Sequence, residues 1–149
     1  MNIKKTANLL VNFTIKRLEE IFGALISLAG GMLFLALITY SPNDPNFIFP
    51  ENTKIENLMG FQGSFISDLF FQSVGIMAYF IPFTFIITGI NIIKTKDFFL
   101  IIENNFFTIL YLISGTLFFV HYYSGTYSQY INGTSGFVGQ YLNLSLIHI

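Results

Sequence analysis

The residues best equipped for proton or metal chemistry are Asp44, Glu51, Glu56 and Asp68, all within the polar stretch 41–68, and His121. Two carboxylates held close can act as an acid–base pair, and a cluster of carboxylate oxygens can hold a hard cation. No His or Cys accompanies these acids, Lys54 is the stretch's one basic residue, and the spacing fits no metal signature. Paired-carboxylate chemistry is therefore not expected. His121 could relay a proton or bind a ligand, but its segment, 106–123, holds no second His and no acid. With Tyr122 and Tyr123 beside it, His121 reads as the aromatic end of a membrane span. Nucleotide chemistry fares no better. There is no G-x-x-x-x-G-K-[ST] phosphate loop, and Gly60-Phe-Gln-Gly63 lacks the following lysine. Neither H-E-x-x-H nor G-x-S-x-G occurs, and the absence of Cys excludes disulfides and thiolate sites. No catalytic, cofactor-binding or metal-binding residue is assigned.

The elements that would have to position such residues are apolar helices. Residues 69–93 carry no formal charge, and as a helix they would run about 37 Å, more than the roughly 30 Å hydrocarbon core of a bilayer. Asp68 closes this run on one side, and Lys94, Lys96 and Asp97 on the other. Residues 21–40 and 106–123 have the same character. The 149-residue chain is 53% hydrophobic and 10% charged, against about 25% charged in a soluble domain. So few charges cannot cover a water-facing surface. A net charge of -1 gives no basic footprint for nucleic acid. The first run is followed by further spans, with no small-residue cleavage motif, and reads as a retained span rather than a signal peptide. The fold class expected is all-α: a polytopic membrane helix bundle with three complete spans and a truncated fourth.

In chain order, residues 1–20 carry Lys4, Lys5, Lys16 and Arg17, with Ile3, Ala7, Leu10, Thr14, Leu18 and Ile21 at helical spacing. Two readings stand here: a short amphipathic helix on the inner membrane surface, or a fraying basic tail. In span 1, Gly23, Ser27 and Gly31 follow a small-xxx-small spacing that lets another helix approach. Pro42, Pro45 and Pro50 break the next segment, and Ser64 is a candidate cap for the helix after it. Gly60 and Gly63 could bracket a tight approach to the membrane. Pro82 predicts a kink just before it in span 2. Residues 98–102 read as an interfacial stretch, with Glu103, Asn104 and Asn105 ahead of span 3. The polar 124–135 loop leads to Gly133, Gly136 and Gly139 and an apolar start at 137, too short to cross by its end.

The chain is thus expected to be incomplete. Leu144, Ser145, Leu146, Ile147, His148 and Ile149 can be encoded by CTG TCT CTT ATA CAC ATC, which matches a transposon-end adapter used in library preparation. On that reading the natural sequence ends near Asn143 and His148 has no role. Asn132-Gly-Thr and Asn143-Leu-Ser match a glycosylation pattern but carry no weight without a eukaryotic secretory context. Lys and Arg divide six to one between alternate sides, which predicts a cytoplasmic N-terminus and 94–103 loop, with the 41–68 and 124–135 loops outside.

Ser41-Pro-Asn-Asp-Pro-Asn-Phe47 after the first span resembles the N-terminal membrane domain of the FtsK/SpoIIIE DNA translocases. So does Asn57-Leu-Met-Gly60-Phe-Gln-Gly63-Ser-Phe-Ile-Ser-Asp68-Leu, followed by Phe71, Gly75, Ala78, Tyr79 and Pro82, and by the glycine-rich turn 133–139. The likeness covers about residues 17–143. It departs from the family in a short loop after span 1 and a less compact glycine turn. The resemblance implies a 21–143 four-span domain, with spans at 21–40, 69–93, 106–123 and from 137 on, in a bacterial inner membrane at the division septum. It implies a membrane anchor for a hexameric ATPase that moves double-stranded DNA and couples chromosome segregation to division. It implies contacts with the lipid bilayer and division-site membrane proteins, and homo-oligomers. DNA, ATP and magnesium would belong to the absent motor, so no cofactor and no enzymatic activity is expected here. Residues 41–46 and 60–68 are expected to shape the outer loop. The alternatives from other classes are a small transporter or channel component and a motor-less assembly scaffold.

Overall fold

The computed structural model describes residues 3–45, 54–123 and 132–147. The expectations placed on Asn46, Phe47, Pro50, Glu51, residues 124–131 and His148 lie outside the described residues. The architecture is an all-α membrane bundle of three spans with a fourth, shorter helix. Its helices are α1 (Ile3–Ile38), α2 (Gly60–Val74), α3 (Phe80–Thr95), α4 (Phe99–Tyr122) and α5 (Gly136–Ile147). A 3₁₀ segment, Gly75–Tyr79, joins α2 to α3. Three stretches are long and apolar enough to cross a membrane: Asn8–Ile38, Gly60–Thr95 and Phe99–Tyr122. Large apolar side chains such as Leu25, Leu28, Phe83, Ile87, Phe106 and Ile109 lie exposed along them. A surface of that kind would associate in water, whereas lipid is its natural solvent.

The basic N-terminal segment forms no separate helix. It is continuous with the first span, because no Gly or Pro interrupts the sequence between Ile3 and Phe22. At 1.5 Å per residue α1 is about 54 Å long, well beyond one hydrocarbon core.

The second span differs most from expectation. Pro82 is not the residue at which the helical path is interrupted. The path breaks at Gly75, whose φ of 60° and ψ of -140° suit only glycine. Pro82 sits in the first turn of α3, where backbone N–H groups lack intrahelical partners anyway, so the missing donor costs little. The helical path also begins at Gly60, nine residues ahead of Leu69, which takes Asp68 into α2. Likewise α4 begins at Phe99 because the Asp97 carboxylate accepts the Phe99 N–H at 2.8 Å. Residues 99–105, read from sequence as an interfacial stretch and a polar lead-in, are its first two turns. Glu103 therefore lies inside a helix that the sequence reading left free of acids, though it is exposed near the helix start.

α1 packs chiefly against α3. A Cβ on Gly23 would fall 2.6 Å from the Gly89 carbonyl oxygen, and one on Gly30 would fall 2.9 Å from the Pro82 carbonyl oxygen. The Ser27 hydroxyl donates to the Ile86 carbonyl at 3.1 Å. The close face is thus Gly23, Ser27 and Gly30. Gly31, expected from the small-xxx-small spacing, has nothing within 4 Å. The reason is helical pitch: at about 100° per residue, position i+7 returns to within about 20° of i, whereas i+8 overshoots by about 80°. α4 is held to α3 by polar pairs. The Thr84 and Tyr111 hydroxyls lie 2.6 Å apart, and Asn104 Nδ2 donates to Thr88 Oγ1 at 2.8 Å. In lipid such pairs hold helices together where apolar burial provides no drive.

Candidate functional site

The end of the bundle where α1 stops is closed by a clasp made from the two loop motifs. Asp44 is 5% exposed, and its two carboxylate oxygens accept the backbone N–H groups of Glu56 at 2.8 Å and Asn57 at 2.9 Å. Asn57 is buried too. Its Nδ2 donates to the carbonyls of Ala36 at 2.8 Å and Thr39 at 3.2 Å, and its Oδ1 accepts the Met59 N–H at 3.0 Å. One side chain thereby satisfies carbonyls left open at the end of α1 and a donor just ahead of α2. The Leu58 N–H adds a bond to Thr39 Oγ1 at 3.2 Å.

Ser64 does not cap α2. It lies inside that helix, fully buried, and its hydroxyl reaches back to the Pro45 carbonyl at 3.1 Å. The two glycines of this motif act differently. A Cβ on Gly63 would lie 2.3 Å from Asn57 Oδ1, so Gly63 makes room for the clasp. Gly60, at φ 66°, allows the turn into α2 and faces open space.

A second set of contacts fastens α5. Asn132 donates twice to Gln72: its N–H to Gln72 Oε1 and its Nδ2 to the Gln72 carbonyl, both at 3.2 Å. The Ile76 N–H donates to the Thr134 carbonyl at 3.0 Å. Here Gly75 and Gly136 meet backbone to backbone. A Cβ on Gly75 would lie 2.0 Å from Thr134 O, and one on Gly136 would lie 2.5 Å from Gly75 N. Gly139 turns toward α4, where its Cβ would lie 2.8 Å from Thr116 O. Beneath these contacts Leu37, Phe71 and Ala78 form a small core, with the Tyr40 ring 4.9 Å and the Tyr79 ring 5.2 Å from that of Phe71.

The candidate acids are thus scattered among structural tasks. Asp44 binds backbone, and Asp68 accepts the Tyr40 hydroxyl at 3.0 Å and Gln72 Nε2 at 3.3 Å. Glu56 contributes its backbone N–H, and its side chain is exposed. Among the described residues no group of three or more His, Asp or Glu is placed to hold a metal ion. His121, exposed in the last turn of α4, stacks edge-on with Tyr122 at 5.0 Å.

Sequence reasoning missed the role of Asn57, although its position three residues before Gly60 was a usable signal: Asx side chains often bond backbone just ahead of a helix. The Asn132–Gln72 pair left no local signal, since its partners are 60 residues apart. At the opposite end, Lys96 Nζ binds Glu20 Oε1, and Arg17 binds Glu20 Oε2 at 2.6 Å. Residues 17–20 and 94–97 therefore share one end of the bundle, and the clasp occupies the other.

Asn57→Ala is expected to lower stability by about 3 kcal/mol, because two carbonyls and one N–H lose a buried partner. Asn57→Asp should do no better, since a carboxylate cannot donate to Ala36 and Thr39. Equilibrium unfolding in mixed micelles measures both, and midpoints equal to wild type would remove the clasp's structural role.

Fold and site together define a polytopic membrane module whose buried polar groups join helices rather than face a substrate. Residues 15–149 match the family model for the 4TM region of DNA translocase FtsK/SpoIIIE, and the chain belongs to that family. It is similar to the DNA translocase FtsK of Caulobacter vibrioides, 31% identical over 75 residues, which are 50% of this chain and 9% of the relative. The corresponding protein of Pseudomonas putida is 38% identical over 69 residues, covering 44% of this chain and 8% of the relative. That of Rickettsia bellii is 29% identical over 78 residues, covering 52% and 10%. The chain thus spans about a tenth of the length of these relatives. No solved structure matches it.

Proposed function

We propose that this chain is the membrane anchor and septum-targeting region of a DNA translocase that couples chromosome segregation to cell division. The family match over residues 15–149 carries the proposal. The name of these relatives, DNA translocase, supports it. An ATP- and magnesium-dependent motor would act on DNA from elsewhere in the protein, and the bundle would hold it at the inner membrane. Self-association and binding of division-site membrane proteins belong to the same proposal, with 21–143 as the working domain.

The basic end, with Lys16, Arg17, Lys94 and Lys96, would face the cytoplasm by the positive-inside rule, and the clasp end would face outward. The clasp would present a rigid outer surface to division partners.

One series of fusions in a dividing Gram-negative cell tests the proposal. A fluorescent protein fused to the N-terminus of the full chain should concentrate at mid-cell, and uniform membrane labelling would overturn the septal role. Topology reporters should read cytoplasmic after Lys96 and external after Lys54, and the reverse pattern would overturn the orientation.

A further inference from the structure

At the basic end, α1 and the last turn of α3 border an open cavity of about 390 Å³ lined by Asn12, Ile15, Lys16, Glu19, Thr95 and Lys96. Its charges are of both signs. Glu19 is 9% exposed, and among the described residues its carboxylate has no hydrogen-bond or ion-pair partner. Its stem is packed away while its oxygens stay open to the cavity, so they take their hydrogen bonds from whatever fills it. Lys16 stands three residues away and does not pair with it. Lys96 Nζ donates to Glu20 and, at 2.6 Å, to the Ile93 carbonyl, leaving one of its three N–H groups for another acceptor.

The cavity's depth is set by the helix. The apolar run begins at Ile21, beside the Glu20–Lys96 pair. Lys16 lies about 6 Å beyond Glu20 along the axis, and Asn12 about 12 Å. The head-group layer on each face of a bilayer is about 5–8 Å thick. The part of the cavity lined by Lys16, Glu19 and Lys96 therefore falls at the depth of the lipid head groups, and Asn12 lies beyond it. A ligand complementary to it carries an anionic oxygen group for Lys16 and Lys96 and an N–H-donating cation for Glu19.

We infer that this cavity binds the head group of an aminophospholipid, with the phosphate on Lys16 and Lys96 and the primary ammonium donating to Glu19. A choline head group has the same charge but no N–H to donate. A glycerol head group keeps the phosphate and lacks the cation. The inference rests on the membrane-spanning fold and on neither the septal role nor the orientation.

Native mass spectrometry of the full chain tests it. The chain is released from micelles holding equal amounts of ethanolamine-, choline- and glycerol-headed phospholipids with identical acyl chains. The ethanolamine lipid should be retained about tenfold over the choline lipid, the worth of roughly one charge-assisted hydrogen bond. Glu19→Gln should abolish that preference while the variant keeps its helicity and unfolding midpoint, since Glu19 has no partner to lose. Lys16→Gln should lower retention of all three lipids. Soluble phosphoethanolamine, which has the head group without acyl chains, should not displace the lipid at equal concentration. Equal retention of ethanolamine and choline lipids by the wild type would overturn the inference, and that comparison needs no variant to fold. Tighter retention of the glycerol lipid would overturn it too, since the site would then read negative charge alone. Displacement by soluble phosphoethanolamine would overturn the lipid as the source of the head group.

Discussion

Gly89→Leu is expected to force α1 away from α3 and to destabilise the bundle by about 3 kcal/mol or more. The first added carbon would already lie 2.4 Å from the Gly23 carbonyl oxygen and 2.7 Å from the Ser27 nitrogen. Both are backbone atoms of α1 and cannot rotate aside. Relief requires the helices to separate, which also breaks the bond from Ser27 to the Ile86 carbonyl and opens the Phe34–Phe83 contact, whose rings are 5.1 Å apart. Gly31→Leu is the matched control. It changes the same residue type on the opposing helix, next to Gly30, but a Cβ there meets nothing within 4 Å. It should shift stability by no more than about 0.5 kcal/mol. Unfolding of both variants in mixed micelles gives the comparison. Equal midpoints for the two would mean that α1 and α3 do not cross at these glycines.

Gly75→Ala is expected to release α5 and cost about 3 kcal/mol. Two terms combine. A φ of 60° with ψ of -140° is strained for any residue with a Cβ, by about 1–3 kcal/mol. The new Cβ would also stand 2.0 Å from the Thr134 carbonyl oxygen, the same oxygen that accepts the Ile76 N–H. The backbone at 134 must therefore move, and the two bonds from Asn132 to Gln72 move with it. Gly133→Ala provides a graded comparison. It has positive φ too, but its nearest neighbour is Gln140 Nε2 at 3.7 Å, so only the conformational cost of about 1 kcal/mol should apply. Hydrogen exchange in nanodiscs should show amides 136–147 exchanging much faster in Gly75→Ala than in Gly133→Ala. Wild-type protection of α5 in Gly75→Ala would contradict the docking described here.

These variants mark two kinds of glycine that sequence spacing alone does not separate. Gly30 and Gly31 are neighbours of identical type, yet one is buried against Pro82, Phe85 and Ile86 and the other is not. The distinction needs the helix phase, which the position of α3 sets. From sequence, Pro82 is the residue expected to distort the second span, yet the helix ends at Gly75. Proline is the stronger breaker inside a helix, but at the start of one its defect is silent, so the break belongs to the glycine that meets Thr134 and Gly136.

The sequence by itself determined that this is a polytopic membrane protein, how many long apolar helices it has, and which segments alternate in basic charge. Those properties are local sums: hydrophobicity over about 20 residues and charge at the ends of a run need no partner. The resemblance carried by the two loop motifs and the second span also pointed to the right family. Only the tertiary structure decided what the motifs do. Asn57 acts on Ala36, Ser64 on Pro45 and Asn132 on Gln72, across 21, 19 and 60 residues. A side chain's partner at such separation depends on how the intervening helices pack, and in lipid that packing is settled by close approach and hydrogen bonding rather than by the hydrophobic pattern that sequence displays.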